Sequence, residues 1–288
     1  MVKKNNYDLK LFSPAKVNLF FRVLKKRSDG YHEIASLMQA IDFGDTLSFS
    51  LSNKDAFTCS DPSLPMDRSN LIVKAINLFK RQTGKKFSLK LHLDKKIPMG
   101  AGLGGGSSNA ATTLHALDRL LKTNLTTDAL IKMGEMLGAD VPFFFSKGTA
   151  YCTGIGEILE DIVCKPMNFI LAKPKALSLS TPLVYKNCKI DAVSKTSPSF
   201  FRKRYTEDFF NFIQVLVNDL EYPAFKLEKT LFRFKKELEE LGFNKVIMTG
   251  SGTAFMCFGK MQIPSLSDVL FYKVSSISKC SASWYPSK

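Results

Sequence analysis

The 288-residue sequence predicts an α+β protein in two halves. Three observations carry that expectation. Alternating apolar runs mix with helical patterns in both halves, the signature of sheets with helices layered on them. The length is about that of two ordinary domains. A glycine-rich loop, Pro98 to Ser108, stands between a strand pattern and a helix pattern, as in a phosphate-binding turn.

Taken in order, residues 8–24 read as extended, with Leu9, Leu11, Val17, Leu19, Phe21 and Val23 largely alternating. Arg27-Ser-Asp-Gly-Tyr31 supplies hairpin chemistry. Further strands are predicted at Ile34–Ala40 and Thr46–Leu51. Asn70 to Gln82 has helical spacing and is closed by Gly84. Phe87, Leu89, Leu91 and Leu93 alternate with polar residues as a half-buried strand, with His92 on its polar side. The glycine loop runs into a helix through Ala110–Leu121 that carries His115 as a packing or surface residue. A second helix follows at Thr126–Leu137, and Asp140 with Pro142 can start a short third one. The character changes around Tyr151–Gly156, which places a boundary between domains 1–154 and 155–288. Beyond it we expect a strand at Phe169–Ala172, a mobile Lys- and Ser-rich loop at 187–206, and helices near Asp208–Leu220 and Leu227–Leu241. A strand–turn–strand at Lys245–Phe258 and a last helix near Leu266–Val274 complete the chain.

Hydrophobic content of 45% and a mean hydropathy near zero describe an ordinary globular composition. No stretch reaches the roughly 18 uninterrupted apolar residues of a membrane span. Met1-Val-Lys-Lys-Asn-Asn contains neither an apolar signal segment nor an arginine-rich presequence, so a cytoplasmic protein with no membrane partner is expected. Cys59, Cys152, Cys164, Cys188, Cys257 and Cys280 form no C-x-x-C pair, and His32, His92 and His115 do not fall at metal-ligand spacing relative to them. Reduced thiols and no protein-held metal follow. The net charge of +15 favours anionic partners, yet the basic residues come in scattered pairs and triplets without aromatic alternation. A nucleic-acid partner is therefore not expected.

The glycine loop holds five of the 17 glycines within seven positions, 100–106. Bare backbone amides and an opening helix make such a turn an anion cradle. Gly100, Gly102 and Gly105 match G-x-G-x-x-G, but a dinucleotide fold needs a second strand ending in an acid about 20 residues on, and here a helix continues. Gly106 leads to Ser107-Ser108 with no lysine, which excludes a Walker loop. Protein-kinase landmarks are absent.

Three segments together resemble the GHMP-kinase family: Ser13-Pro-Ala-Lys-Val-Asn-Leu19, Pro98–Asn109 and Thr249-Gly-Ser-Gly252. Arg27–Glu33, Gly138-Ala-Asp-Val-Pro142 and Asn218-Asp-Leu-Glu221 narrow the resemblance to the branch whose acceptor alcohol carries a cytidine diphosphate. Two positions depart from the pattern: Ala101, where glycine is common, and Tyr185, where phenylalanine is usual.

The resemblance implies a nucleotide domain similar to ribosomal protein S5 followed by a ferredoxin-like α/β domain, with the active site in the cleft between them. It implies ATP as phosphoryl donor, Mg²⁺ carried by the nucleotide, a small-molecule partner bearing a cytidine diphosphate, and a monomer or homodimer. The loop residues Pro98, Met99, Gly100, Ala101, Gly102, Leu103, Gly104, Gly105, Gly106, Ser107 and Ser108 would hold the phosphates, the serine hydroxyls adding donors or ligating Mg²⁺, with Asn70 and Lys96 near the adenine. Asp140 would be the base and Lys16 its neighbouring cation. Tyr31 and Tyr185 would stack on cytosine and His32 would read its edge, while Asn18 and Thr181 hold the rest of the acceptor. Outside the family context, Asp140 reads as a helix cap, Lys16 as a strand surface charge, Tyr31 and His32 as a polar hairpin tip, and Tyr185 as a packing residue. Two alternatives stand beside this expectation. One is a kinase of the same family acting on homoserine, mevalonate or a sugar, against which the Tyr31-His32 pair argues, since those acceptors carry no base. The other is a non-catalytic nucleotide- or RNA-binding protein, against which the retention of Lys16 and Asp140 argues.

Overall fold

A computed structural model describes residues 7–190 and 195–279. The first six residues and Cys280, used above to read compartment and redox state, lie outside the described residues, as do residues 191–194 of the predicted loop.

The first sheet is organised on one long strand. β1 (Leu9–Lys26) and β2 (His32–Ser52) form an antiparallel hairpin. Its turn is closed by the Arg27 amide donating to the Tyr31 carbonyl at 2.8 Å, with Gly30 at φ +87°. β3 (Ala56–Cys59), β4 (Ser88–Asp94), β5 (Thr149–Thr153) and β6 (Ile158–Asp161) complete a six-stranded sheet. The free edge of β2 is shared: its second half pairs with β4 and its first half with β5. The strands expected separately at 34–40 and 46–51 are thus one element. Pro14 faces Gly44 while Ala15 faces Ile41, so Asp42 and Phe43 are taken up as a bulge in a stretch whose Gly-Asp composition reads as a break.

Helices α1 (Leu71–Thr83), α2 (Gly105–Leu121) and α3 (Thr127–Glu135) pack on one face of this sheet. α1 begins where its sequence predicts: the Asn70 side chain accepts from the Ile72 amide, and Gly84 ends it at φ +66°. Ile72, Ala75, Ile76 and Phe79 form its buried stripe against Leu89, Leu91 and Leu93 of β4.

The second sheet contains β7 (Asn168–Pro174), β8 (Lys245–Met248), β9 (Phe255–Phe258) and β10 (Val269–Ser275) in the antiparallel order β10-β7-β9-β8. The chain stays in the first sheet through Asp161, and the change of sheet falls between Asp161 and Asn168. The helices of this half are α4 (Thr181–Lys186), α5 (Pro198–Glu207), α6 (Phe209–Phe212), α7 (Glu221–Leu227) and α8 (Lys229–Glu240). Three expectations are corrected here. The helix expected near 266–274 is β10: Val269, Phe271 and Val274 are strand formers and pair with β7. The loop expected over 187–206 contains α5, capped by Ser197 and anchored by buried Phe201 and Tyr205. The helix expected over 208–220 stops early, because residues 217–219 hydrogen-bond to β1 on both sides of Phe21.

That last contact stitches the two halves. A core cluster takes Ala15, Val17 and Leu19 from β1, Phe169 and Leu171 from β7, Met256 from β9, and Ala101 and Leu103 from the glycine loop. Beside it, Arg22 Nε lies 2.8 Å from Asp219 Oδ2, both side chains under 5% exposed, and the Val23 amide donates to the same oxygen at 2.9 Å. Asn218 Nδ2 donates to the carbonyls of Met248 and Gly250, and Glu221 accepts from the Met248 amide. Removing one member of a buried ion pair strands the other charge. Asp219→Ala is therefore expected to lower unfolding free energy by about 3–5 kcal/mol, read as a lower urea midpoint with unchanged slope.

Candidate active site

The glycine loop turns through Gly100, Gly102 and Gly104 at φ +63°, +81° and +68°, settings that side chains resist. It is backed by the Thr249–Gly252 segment. A Cβ on Gly102 would lie 2.5 Å from the Thr249 carbonyl oxygen, and one on Gly252 would lie 2.0 Å from the Ala101 carbon and the Gly102 nitrogen. Ala101 is 1% exposed with its methyl in the core, so its departure from glycine adds packing and does not narrow the cradle.

α2 opens directly from Gly104, which offers no side-chain cap, whereas Asn70 and Thr126 cap α1 and α3. The first-turn amides of α2 are thus left for a ligand, with the positive end of the helix dipole behind them. They face a cavity of about 320 Å³ walled by residues 98–106, with Asn70 and Lys95 on the opposite side. Asn70 is committed to capping α1 and to the Pro65 carbonyl. Two loop expectations change. Ser108 is fully buried and its hydroxyl meets Ser13 Oγ at 2.8 Å, so it cannot face a phosphate; Ser107 can. Lys96 is not on the cavity wall but lies outside, 3.9 Å from Asp94.

Lys95 occupies the wall instead, 3.0 Å from Asp45 Oδ2. Asp45, wholly buried, also accepts from the amides of Lys96 and Ile97 at 2.7 Å and from Asn109 Nδ2 at 2.9 Å. One carboxylate thereby ties the entry of the loop to the helix that leaves it. The signal for both residues is strand parity: Asp45 shares the face of Leu47 and Phe49, and Lys95 continues the alternation of Leu89, Leu91 and Leu93.

Lys16 and Asp140, distant in sequence, meet at 3.4 Å between Nζ and Oδ2. Lys16 is 5% exposed and its stem packs under Gly104, whereas Asp140 is 35% exposed. The 3₁₀ turn Pro142–Phe145 is capped by no side chain, so the carboxylate of Asp140 is not spent as a cap. Lys16 Nζ also donates to Asn18 Oδ1 at 2.7 Å, and Asn18 Nδ2 donates to Ser36 Oγ at 2.7 Å. Asn18 is 1% exposed; its amide holds Lys16 and is not aimed at the acceptor space.

Asp140 itself lines a second cavity of about 630 Å³, together with His32, Tyr31, Thr181, Tyr185 and Ser107. Thr181 Oγ1 is 2.7 Å from Ser251 Oγ, which ties α4 to the third glycine segment. The His32 and Tyr185 rings pack together with centroids 5.3 Å apart and planes tilted by 32°. Burial, and then the charge of Lys26, push the His32 pKa below its ordinary value. Burial first, then the Asp140 charge, raise that of Tyr185, whose phenol therefore keeps its proton. Tyr31, 60% exposed, stands at the rim. Lys26 and Lys186 also reach this wall and were not singled out from sequence. Among the described residues no group of three His, Cys, Asp or Glu side chains is arranged to hold a metal.

This site and fold are those of a GHMP-type small-molecule kinase. Residues 70–148 match the family model "GHMP kinases N terminal domain". The chain is 44% identical over 286 residues to a 4-diphosphocytidyl-2-C-methyl-D-erythritol kinase of Protochlamydia amoebophila, covering 97% of this chain and 93% of that one. It is 42% identical over 267 residues to the chloroplastic enzyme of that name from Arabidopsis thaliana, covering 89% and 69%. The crystal structure of a 4-(cytidine 5'-diphospho)-2C-methyl-D-erythritol kinase superposes with a TM-score of 0.77 at 28% identity, over 94% of this chain and all of that one. A mevalonate kinase structure superposes at 0.62 with 15% identity over 94% of this chain and all of that one, a likeness of fold alone. The chain belongs to the 4-diphosphocytidyl-2-C-methyl-D-erythritol kinase family.

Two outcomes follow from the geometry. Gly252→Ala forces its methyl into the backbone of residues 101–102, and a displacement of that order at a positioning loop is expected to cost roughly 10² in kcat/KM, measured as ADP release. For His32 the folded pKa is the lower one. The stability contributed by its neutral ring is complete above pH 6.5, the ordinary value, and is lost as pH falls through the folded pKa. An NMR titration of the His32 ring carbons should give a midpoint below 6.5; a midpoint at or above that value contradicts the burial.

Proposed function

We propose that the chain transfers the γ-phosphoryl group of ATP to the 2-hydroxyl of 4-diphosphocytidyl-2-C-methyl-D-erythritol, a step of non-mevalonate isoprenoid precursor synthesis. The observation that carries this reading is the Lys16–Asp140 pair, 3.4 Å apart: Asp140 lines the larger cavity, and the Lys16 stem packs against Gly104 of the smaller one. One cavity is walled by main-chain amides and the other by aromatic rings and hydroxyls. Phosphoryl transfer asks chiefly for position and charge compensation. The β- and γ-phosphates rest on the first-turn amides of α2, with the Ser107 hydroxyl beside them. Asp140 accepts the proton of the attacking hydroxyl. The Lys16 ammonium pairs with that carboxylate and offsets charge on the group in flight. Mg²⁺ would enter with the nucleotide and supply charge compensation to its phosphates, and Ser107, which shares the cavity of Asp140, would offer it a hydroxyl. The ring faces of Tyr31 and Tyr185 take the cytosine at about 1–3 kcal/mol per stacked base, and the neutral His32 ring supplies one donor and one acceptor to its edge. Lys26, Lys186 and Thr181 supply charge and a hydroxyl for the diphosphate. A cytoplasmic setting is supported by the five described cysteines, all unpaired.

The test is to incubate the protein with ATP, Mg²⁺ and each of several alcohols, following phosphorus signals of the products. Turnover of the cytidine-bearing alcohol alone is expected; preferred turnover of homoserine or mevalonate overturns the reading. Asp140→Asn should then lower kcat by about 10²–10⁴ with little change in ATP affinity. Lys16→Met should lower it by about 10²–10³. Near-normal turnover in either removes that residue from the mechanism.

A further inference from the structure

We propose that Ser36 is a positioning residue for the reaction: its hydroxyl fixes the orientation of the Asn18 amide and, through it, the place of the Lys16 ammonium. The inference rests on the role given to Lys16 above. An asparagine side chain has an acceptor end and a donor end of nearly the same shape, so something must decide which end faces its neighbours. The donor-only Lys16 ammonium calls for the oxygen end, and Ser36 holds the NH₂ end so that the amide stays in that setting. Its Oγ lies 2.7 Å from the Phe20 carbonyl, which can only accept, so the single hydroxyl proton is committed there. The oxygen is left as an acceptor for Asn18 Nδ2, also at 2.7 Å. Asn18 Oδ1 then faces Lys16 Nζ, again at 2.7 Å. The flipped amide would set its NH₂ group against the ammonium, donor against donor. The Asn18 main chain is pinned separately, its amide donating to Thr249 Oγ1 at 2.8 Å, so side-chain orientation is the freedom that remains.

The backbone explains why these residues meet. Lys16 opposes Ala40 and Asn18 opposes Met38, so strand alternation puts Lys16, Asn18, Met38 and Ser36 on one face. The register then shifts: Phe20 opposes Leu37 and Leu19 is the extra residue. This bulge brings the Phe20 carbonyl within reach of Ser36. Ser36 is fully buried and touches neither cavity wall, so it acts through Asn18 alone and not on a substrate.

The test compares Ser36→Thr, which keeps the hydroxyl, with Ser36→Val, which has the same shape without it. Ser36→Val is expected to lower kcat about tenfold, leaving KM for ATP within twofold, while Ser36→Thr stays near the parent. In an Asn18→Ala background the Thr and Val variants should no longer differ, because the amide they would orient is gone. Equal kcat for Thr and Val in the parental background overturns the proposal, as does the same Thr–Val ratio in both backgrounds. A readout independent of any acceptor separates this from the functional reading: the ¹⁵Nζ signal of Lys16 should be retained in the Thr variant and lost or shifted in the Val variant. If the signal responds in this way while Lys16→Met turns over normally, the role of Lys16 falls and the orientation by Ser36 stands. An unchanged Lys16 signal in Ser36→Val refutes the orientation itself.

Discussion

The site depends on two main chains that pass closer together than side chains allow. At Gly102 and Gly252 the phosphate loop and the segment after β8 are in backbone contact, with no space for a Cβ on either. The Ala254 amide donates to the Ala101 carbonyl across the same contact, and Asn18 is held against Thr249. Lys16 lies where the two meet: its stem packs under Gly104, its amide donates to the Leu103 carbonyl, and its ammonium lies near Gly250. The loop that would hold the donor and the cation that would serve the transfer are therefore one packed unit. Such a unit is preorganised, so its dipoles need no rearrangement when charge develops.

Much of this was legible in the sequence wherever a local rule coincides with the tertiary outcome. Asn70 and Gly84 bracket α1 because a cap and a left-handed stop act within one turn. The glycine positions 100–106 mark the loop because only a bare backbone turns that way. The pairing of Lys16 with Asp140 was available only through the family resemblance, since no local rule links residues so far apart. The failures share a cause. Residues 217–219 and 269–274 lie within runs read as helices, but partners on β1 and β7 claim their backbone groups. The family resemblance implied Ser108 and Lys96 as ligand contacts, whereas the turn of α2 and the alternation continued past β4 bring their neighbours Ser107 and Lys95 to the cavities.

The +15 charge resolves into distinct uses. Several basic residues serve exposed pairs such as Lys236–Glu239 and Lys203–Glu207, which add little to stability. The triplet Lys25-Lys26-Arg27 divides: Lys25 pairs with Glu33 and Arg27 with Asp29, while Lys26 reaches the acceptor cavity and depresses the His32 pKa. Lys16 and Lys95, with side chains 5% and 8% exposed, each stand beside a carboxylate at the donor loop, while Arg22 and Lys173 are buried elsewhere in the fold. Two of the least exposed cations thus lie at the loop where phosphate charge would be met.

β2 runs unbroken from His32 to Ser52 and carries three parts of the site in turn. His32 stands on the acceptor wall, Ser36 reaches Asn18, and Asp45 ties down the entry of the phosphate loop. At about 3.3 Å per residue, a paired strand behaves as a ruler, here with the bulge at Asp42–Phe43 built into its length. The span from the base-reading end to the donor end is thus written into covalent geometry and does not wait on a hinge. Under the proposed roles, a molecule that fills the His32 end must therefore match a distance to the phosphate loop that the strand itself sets.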